Sequence, residues 1–127
     1  HNADSALKLK INLDKFSKKN TIAVVGFLEN KDVYSLTKPF SSMIDQWYCG
    51  TIENKRGMNS DEIKTRMKGV VHNNIIKTFK NMDEAFLSAL TNLKDEDRLI
   101  IYGSFYTVSE FLMFSKKQNM YIQNESS

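Results

Sequence analysis

The sequence predicts an α/β fold, three layers with a mostly parallel sheet and helices on both faces. Apolar, β-branched runs without alternation occur at residues 21–27 and 98–102, as strands covered on both sides require. Between such runs the apolar residues fall at the 3.6-residue helical spacing. The connections are short, and strands alternating with helices at short intervals imply crossover units. A length of 127 residues with 41% hydrophobic and 26% charged residues suits one compact domain with its own core.

In chain order, residues 6–16 satisfy two periods at once. Leu7, Leu9, Ile11 and Leu13 alternate as a half-buried strand does, while Ala6, Leu9, Leu13 and Phe16 fit a helix, so pattern alone leaves the segment open. After the polar break at residues 17–20, residues 21–27 read as a central parallel strand. Val33, Leu36, Phe40, Met43 and Ile44 then follow Asp32, an expected N-cap, at helical spacing. Pro39 interrupts them, so either the helix kinks there or a short first turn ends and a second helix starts at Pro39.

Residues 47–52 read as a second strand and residues 53–59 as an exposed loop. Ser60 is the expected cap of the next helix, with Asp61 and Glu62 in its first turn and Ile63 and Met67 on one face. Residues 75–79 make a third strand candidate. Asn81 with Glu84 three residues on forms an approximate capping box before Phe86, Leu90 and Leu93. Residues 98–102 form another strand, and residues 103–107 lead straight into a helix carrying Val108, Phe111 and Leu112. The end from Gln118 is polar apart from Met120, Tyr121 and Ile122, and reads as a frayed tail or a short edge strand. The sequence has no internal repeat and no low-complexity stretch.

Charge and composition exclude several classes. Lys and Arg outnumber Asp and Glu by 18 to 15, a net charge of +3 with the signs interspersed, so no nucleic-acid partner is expected. The apolar runs fall far short of the roughly 20 residues that span a bilayer, and no charged-then-apolar leader opens the chain, so no membrane partner or secretion is expected. The single cysteine, Cys49, suits a cytoplasmic, reducing location. Because residue 1 is His rather than Met, the chain reads as a piece of a longer one.

In parallel sheets ligands collect at the carboxyl ends of the strands, and three polar strand-to-helix loops are expected there: residues 29–32, 54–57 and 103–106. Together they would gather Lys31, Arg56, the Ser104 hydroxyl and the Tyr106 phenol, a set suited to holding carboxylates by charge-assisted hydrogen bonds. The sequence contains neither a Gly-x-x-x-x-Gly-Lys-Ser/Thr phosphate loop nor a Gly-x-Gly-x-x-Gly turn. It also has no Cys/His cluster at metal spacing, and the residues around Ser104 are not a Gly-x-Ser-x-Gly elbow. Independent catalysis is therefore not expected.

The stretches His1-Asn2, Val25-Gly26-Phe27-Leu28-Glu29-Asn30-Lys31-Asp32, Asp45-Gln46-Trp47-Tyr48-Cys49, Lys55-Arg56-Gly57 and Gly103-Ser104-Phe105-Tyr106-Thr107-Val108 resemble the C-terminal domain of the folylpolyglutamate synthase/dihydrofolate synthase group of the Mur ligase family. The resemblance covers nearly the whole chain, with the weakest match between Met67 and Lys80. It implies a Rossmann-like last domain of a three-domain, ATP-dependent ligase, and a helix for the first segment. In that family ATP phosphorylates the carboxylate of the pterin substrate, dihydropteroate or a folate, and the amine of L-glutamate attacks the acyl phosphate. The resemblance implies that ATP and Mg²⁺ are held mainly by the N-terminal and central domains of the same chain. The C-terminal domain then closes over them, which excludes water and aligns the amine. Family precedent implies a monomer.

Carried over by position, His1 and Asn2 match the end of the family's Asp-x-Ala-His-Asn-Pro hinge and nucleotide segment, with Ala3 in place of Pro. Lys31 matches a lysine facing the amino-acid carboxylate in related ligases. Arg56 matches an arginine for the incoming amino acid, with Lys55 in place of a frequent Pro. Ser104 and Tyr106 match a Gly-Ser-x-His/Tyr turn, and Tyr106 donates a hydrogen bond without carrying charge near neutral pH. The resemblance thus assigns glutamate binding to Lys31, Arg56, Ser104 and Tyr106.

Each assignment has a plainer counterpart. Lys31 could be a solvated loop charge, Arg56 one half of a surface ion pair worth at most about 1 kcal/mol, and Ser104 a helix cap. His72 reads as a surface histidine, Cys49 as a thiol packed on a strand, and Trp47 and Tyr48 as core or interdomain packing. The alternative to a ligase domain is a free-standing α/β module that binds an anionic metabolite or a protein.

Overall fold

The computed structural model describes residues 20–118. His1, Asn2, the segment at residues 6–16 and the end beyond Gln118 lie outside the described residues. Strand β1 (Thr21–Val25) is buried along its whole length. It leads into helix α1 (Val33–Thr37), whose N-cap is Asp32 as expected. The Asp32 carboxylate accepts from the Ser35 hydroxyl at 2.8 Å and the Ser35 amide at 3.1 Å. These bonds hold its pKa below the usual carboxylate range, so the cap contributes at neutral pH and is lost as pH falls through that lowered value.

The helix expected to run on to Ile44 stops at Thr37, where a 3-10 turn (Lys38–Phe40) takes over. Pro39 sits in that turn, where its missing N–H and fixed φ are tolerated. No second α-helix starts at Pro39, yet Phe40 and Ile44 still reach the core.

Strand β2 (Gln46–Gly50) ends before the expected Ile52, and the Thr51 hydroxyl just beyond it bridges two neighbouring segments. That hydroxyl donates to the Phe79 carbonyl at 3.1 Å and accepts from the Ser60 amide at 2.8 Å. Helix α2 (Ser60–Arg66) is capped by Asn59 rather than Ser60, with the Asn59 side chain accepting from the Asp61 amide at 2.8 Å. Ser60 is the first helical residue. A 3-10 turn (Asn73–Ile75) precedes strand β3 (Ile76–Phe79). Helix α3 (Met82–Asn92) starts as expected from Asn81, whose side chain accepts from the Glu84 amide at 2.8 Å. Strand β4 (Arg98–Tyr102) and helix α4 (Phe105–Lys117) complete the described chain.

The four strands form one parallel sheet in the order β3-β2-β1-β4. Alternate residues of each strand enter opposite cores. Ala23, Val25, Trp47, Cys49, Ile100 and Tyr102 pack with Val33 and Leu36 of α1 and Ile63 of α2. Ile22, Val24 and Tyr48 pack with Met82, Ala85, Phe86 and Ala89 of α3 and Phe114 of α4. The fold is therefore the expected three-layer α/β arrangement, and Trp47 and Tyr48 are core residues. Each fully buried Val, Leu, Ile, Phe or Met side chain of these cores contributes about 1.5–3 kcal/mol by leaving water.

Cys49 is also buried, with its sulfur 4.0 Å from that of Met67. Burial pushes its thiol up to about 12, against a smaller opposing effect of Lys64. Since the thiolate is the nucleophile, iodoacetamide at pH 8 is expected to leave Cys49 unmodified in the native protein and to alkylate it in denaturant. Mass spectrometry reads the difference, and native alkylation would contradict the packing.

The chain steps from β1 to β2 to β3 in one direction, and α3 then carries it back to β4 on the far side of β1. The strand order thus reverses between β1 and β4, where an open parallel sheet leaves a crevice at its carboxyl edge.

Candidate functional site at the carboxyl edge

The segment from Gly26 to Glu29, immediately after β1, ties the carboxyl-edge connections together. On one side the Gly26 amide donates to the Tyr102 carbonyl at 3.4 Å, and the Gly26 carbonyl accepts from the Thr107 hydroxyl at 2.7 Å. On the other, the Phe27 carbonyl accepts from the Met58 amide at 2.8 Å and the Glu29 amide donates to the Arg56 carbonyl at 2.7 Å. Leu28 and Gly57 pair there as an isolated antiparallel bridge. The loop bearing Arg56 and the turn bearing Tyr106 therefore hang from the same crosspiece.

Local chemistry shapes both arms. The Asn54 side chain accepts from the Arg56 amide at 2.8 Å and the Asn54 carbonyl from the Gly57 amide at 3.1 Å, an Asx-type turn that leaves Lys55 and Arg56 exposed. On the other arm Gly103 adopts φ +128°, and a Cβ there would strike the Gly26 carbonyl oxygen. Gly103→Ala is thus expected to cost about 2–3 kcal/mol, combining strain at a glycine conformation with displacement of the crosspiece. The shift of the urea midpoint measures it, and a change below about 0.5 kcal/mol would contradict the close approach.

Between the two arms lies an open cleft of about 380 Å³ lined by Leu28, Asn54, Lys55, Arg56 and Tyr106. Among the described residues no carboxylate pairs with Lys55 or Arg56; the pairs Arg66–Glu62 at 2.8 Å and Lys80–Glu84 at 3.6 Å lie elsewhere. On the far side of Tyr106 lies a cleft of about 220 Å³ lined by Thr51, Glu53, Asn81, Met82, Asp83, Tyr106 and Glu110. Tyr106 is thus a wall between a basic cleft and an acidic one. A guanidinium fork, an ammonium, a phenol and the apolar Leu28 make the basic cleft suited to a small molecule with carboxylates on an aliphatic body.

The structure brings Arg56 and Tyr106 together but does not bring Lys31 to them. Lys31 is half-buried and absent from the cleft lining. Its amide closes a turn onto the Leu28 carbonyl at 3.1 Å, and its carbonyl accepts from Arg66 at 3.5 Å. Ser104 is buried and serves as the N-cap of α4, accepting from the Thr107 amide at 3.1 Å. Its hydroxyl lies 3.1 Å from the Thr107 hydroxyl. The Thr107 proton is committed to Gly26, so Ser104 must be the donor of that pair. Its own proton is thereby engaged within the protein, as a cap rather than a free donor. His72 is exposed, as expected of a surface histidine.

The sequence does not single out Leu28, Asn54 or Lys55 as ligand-binding residues, yet all three line the cleft. Asn54 was legible as the start of an Asn-x-x-Gly turn; Leu28 carried no signal beyond its place after a strand.

A family model described as Mur ligase, glutamate ligase domain matches residues 1–105. The chain belongs to this family. The Mur ligase domain is 35% identical over 113 residues to the dihydrofolate synthase/folylpolyglutamate synthase of Buchnera aphidicola subsp. Acyrthosiphon pisum, covering 88% of this chain and 26% of that protein. Its fold is similar to that of E. coli FolC solved in complex with DHPP and ADP, with a TM-score of 0.81 and 26% identity over 94% of this chain and 28% of that one. A second solved bifunctional folylpolyglutamate synthase/dihydrofolate synthase, with Mn, AMPPNP and L-glutamate bound, matches with a TM-score of 0.75 and 26% identity, covering 89% of the domain and 26% of that chain. The domain spans about a quarter of the length of the curated relatives it matches.

Proposed function

We propose that this chain is the last of three domains of a cytoplasmic, monomeric ATP-dependent ligase that joins L-glutamate to dihydropteroate, to a folate, or to both. Within that enzyme the domain holds the incoming glutamate. The observation that carries this reading is the convergence of Lys55, Arg56 and Tyr106 on one cleft at the carboxyl edge of a Mur ligase domain. Arg56 and Lys55 attract the carboxylates of glutamate, and Tyr106 donates from its phenol. The acidic cleft beyond Tyr106 disfavours carboxylates, which keeps them on the basic side. Ser104 shapes the turn that carries Tyr106, and Lys31 adds positive charge beyond the cleft lining. The printed names of the relatives and the L-glutamate bound in one of them support the choice of amino acid.

Among the described residues no group of three or more His, Cys, Asp or Glu is arranged to hold a metal ion. As the family resemblance implies, we assign the metal and the ATP phosphates to the N-terminal and central domains, and the hinge on the nucleotide side to the sequence positions of His1 and Asn2, which lie outside the described residues. In the proposed reaction the γ-phosphoryl group passes from ATP to the pterin carboxylate. The glutamate amine then attacks the acyl carbon and phosphate leaves. This chain contributes alignment of the amine and exclusion of water.

Two observations test the reading. The coding sequence upstream of His1 should specify an Asp three positions earlier and, further back, a Gly-Lys-Ser/Thr phosphate loop. The full-length protein should release ADP only when ATP, glutamate and a pterin or folate acceptor are all present. ADP release indifferent to glutamate would overturn it.

A further inference from the structure

We infer that Thr107 is a positioning residue for glutamate, setting the Tyr106 wall of the cleft against the Arg56 wall; this rests on the proposed reading of the cleft. Thr107 is fully buried at the strand-order reversal, and its side chain joins both elements that flank it. Its hydroxyl donates to the Gly26 carbonyl at 2.7 Å and takes the Ser104 proton at 3.1 Å. The result is a directed chain, Ser104 to Thr107 to Gly26, with the Thr107 amide returning to the Ser104 oxygen at 3.1 Å.

Position is what this chain of bonds controls. Tyr106 immediately precedes Thr107 in the first turn of α4, and Arg56 is fixed to Glu29, three residues beyond Gly26. The Thr107–Gly26 bond therefore ties the turn that carries Tyr106 to the segment from which the Arg56 loop hangs. No spare volume cushions it. A Cβ at Gly26 would come within 2.9 Å of the Thr107 oxygen and 2.6 Å of the Met82 sulfur. A side chain of the same shape without a hydroxyl leaves the Gly26 carbonyl without its donor, and Tyr106 moves relative to Arg56. Thr107 need not touch a substrate to have this effect.

The test uses the full-length ligase with Thr107→Val, Thr107→Ser and Arg56→Ala, measuring the Michaelis constants for glutamate and ATP. Thr107→Val is expected to raise the glutamate constant about tenfold while the ATP constant changes less than about twofold, and Thr107→Ser, which keeps the hydroxyl, is expected to restore it to within about threefold. A folded Thr107→Val enzyme with unchanged glutamate constant, alongside an Arg56→Ala enzyme that has lost glutamate affinity, overturns the positioning role and leaves the cleft assignment standing. An unchanged constant in Arg56→Ala overturns the cleft assignment and with it this inference. If Thr107→Val does not fold, Thr107→Ala, which also lacks the hydroxyl, decides. A rise of about threefold or more in the glutamate constant alone supports the role, and no rise overturns it.

Discussion

Arg56→Ala in the full-length ligase is expected to raise the Michaelis constant for glutamate by about 10- to 100-fold, with the ATP constant nearly unchanged. A charge-assisted hydrogen bond to a carboxylate contributes about 1.5–3 kcal/mol, and each 1.4 kcal/mol is a factor of ten. The Arg56 backbone is fixed by bonds to Asn54 and Glu29, so truncating its exposed side chain removes the guanidinium and leaves the loop in place. Arg56→Lys should recover part of the loss, because it keeps the charge and gives up the planar fork. Lys31→Ala should raise the constant less than Arg56→Ala, since Lys31 stands outside the cleft lining. Steady-state kinetics against glutamate at saturating ATP decides this, and equal or inverted effects at the two positions would move the site away from the cleft.

Phe27→Ala is expected to cost about 3–5 kcal/mol of stability, the range for a buried aromatic ring replaced by a cavity. The ring is fully buried and meets Tyr102 edge-on, 6.3 Å between centroids at 88°. Tyr102 in turn packs on Phe40 at 5.1 Å and Trp47 at 6.3 Å, so the cavity would open in the middle of an aromatic cluster. Because total stabilities of domains are about 5–15 kcal/mol, this loss is a large share of the whole. A fall in the urea midpoint at constant slope is the expected result, with Phe27→Leu much milder. A loss near 1 kcal/mol for the alanine variant would mean that the ring is not packed as described.

Much of the fold was legible because parallel strands buried on both faces lose their alternation. Residues 21–27 and 98–102 read as strands for that reason, and the Asn81 cap with Glu84 marked α3 directly. Where expectation and structure part, a local competitor decided. Pro39 ended α1 at Thr37 although Phe40 and Ile44 kept the apolar spacing. Asn59 took the cap from its neighbour Ser60, whose amide was claimed by Thr51. The polar loops of the site were legible from the rule that ligands gather at strand carboxyl ends. The absence of Lys31 from the cleft lining and the commitment of the Ser104 proton were not, because both depend on bonds between distant segments: Arg66 to Lys31 and Thr107 to Gly26.

The Thr107–Gly26 bond spans 81 positions, which bears on how the domain is made. A ribosome delivers the crosspiece and the Arg56 loop early and the Tyr106 turn only after β4. Until that late turn arrives, the nascent chain holds a charged loop with no opposite wall. Closing so long a loop has an entropic cost that grows with its length, so this bond is among the contacts that raise the domain's contact order. Both walls of the cleft are therefore present only once the chain beyond β4 has been made.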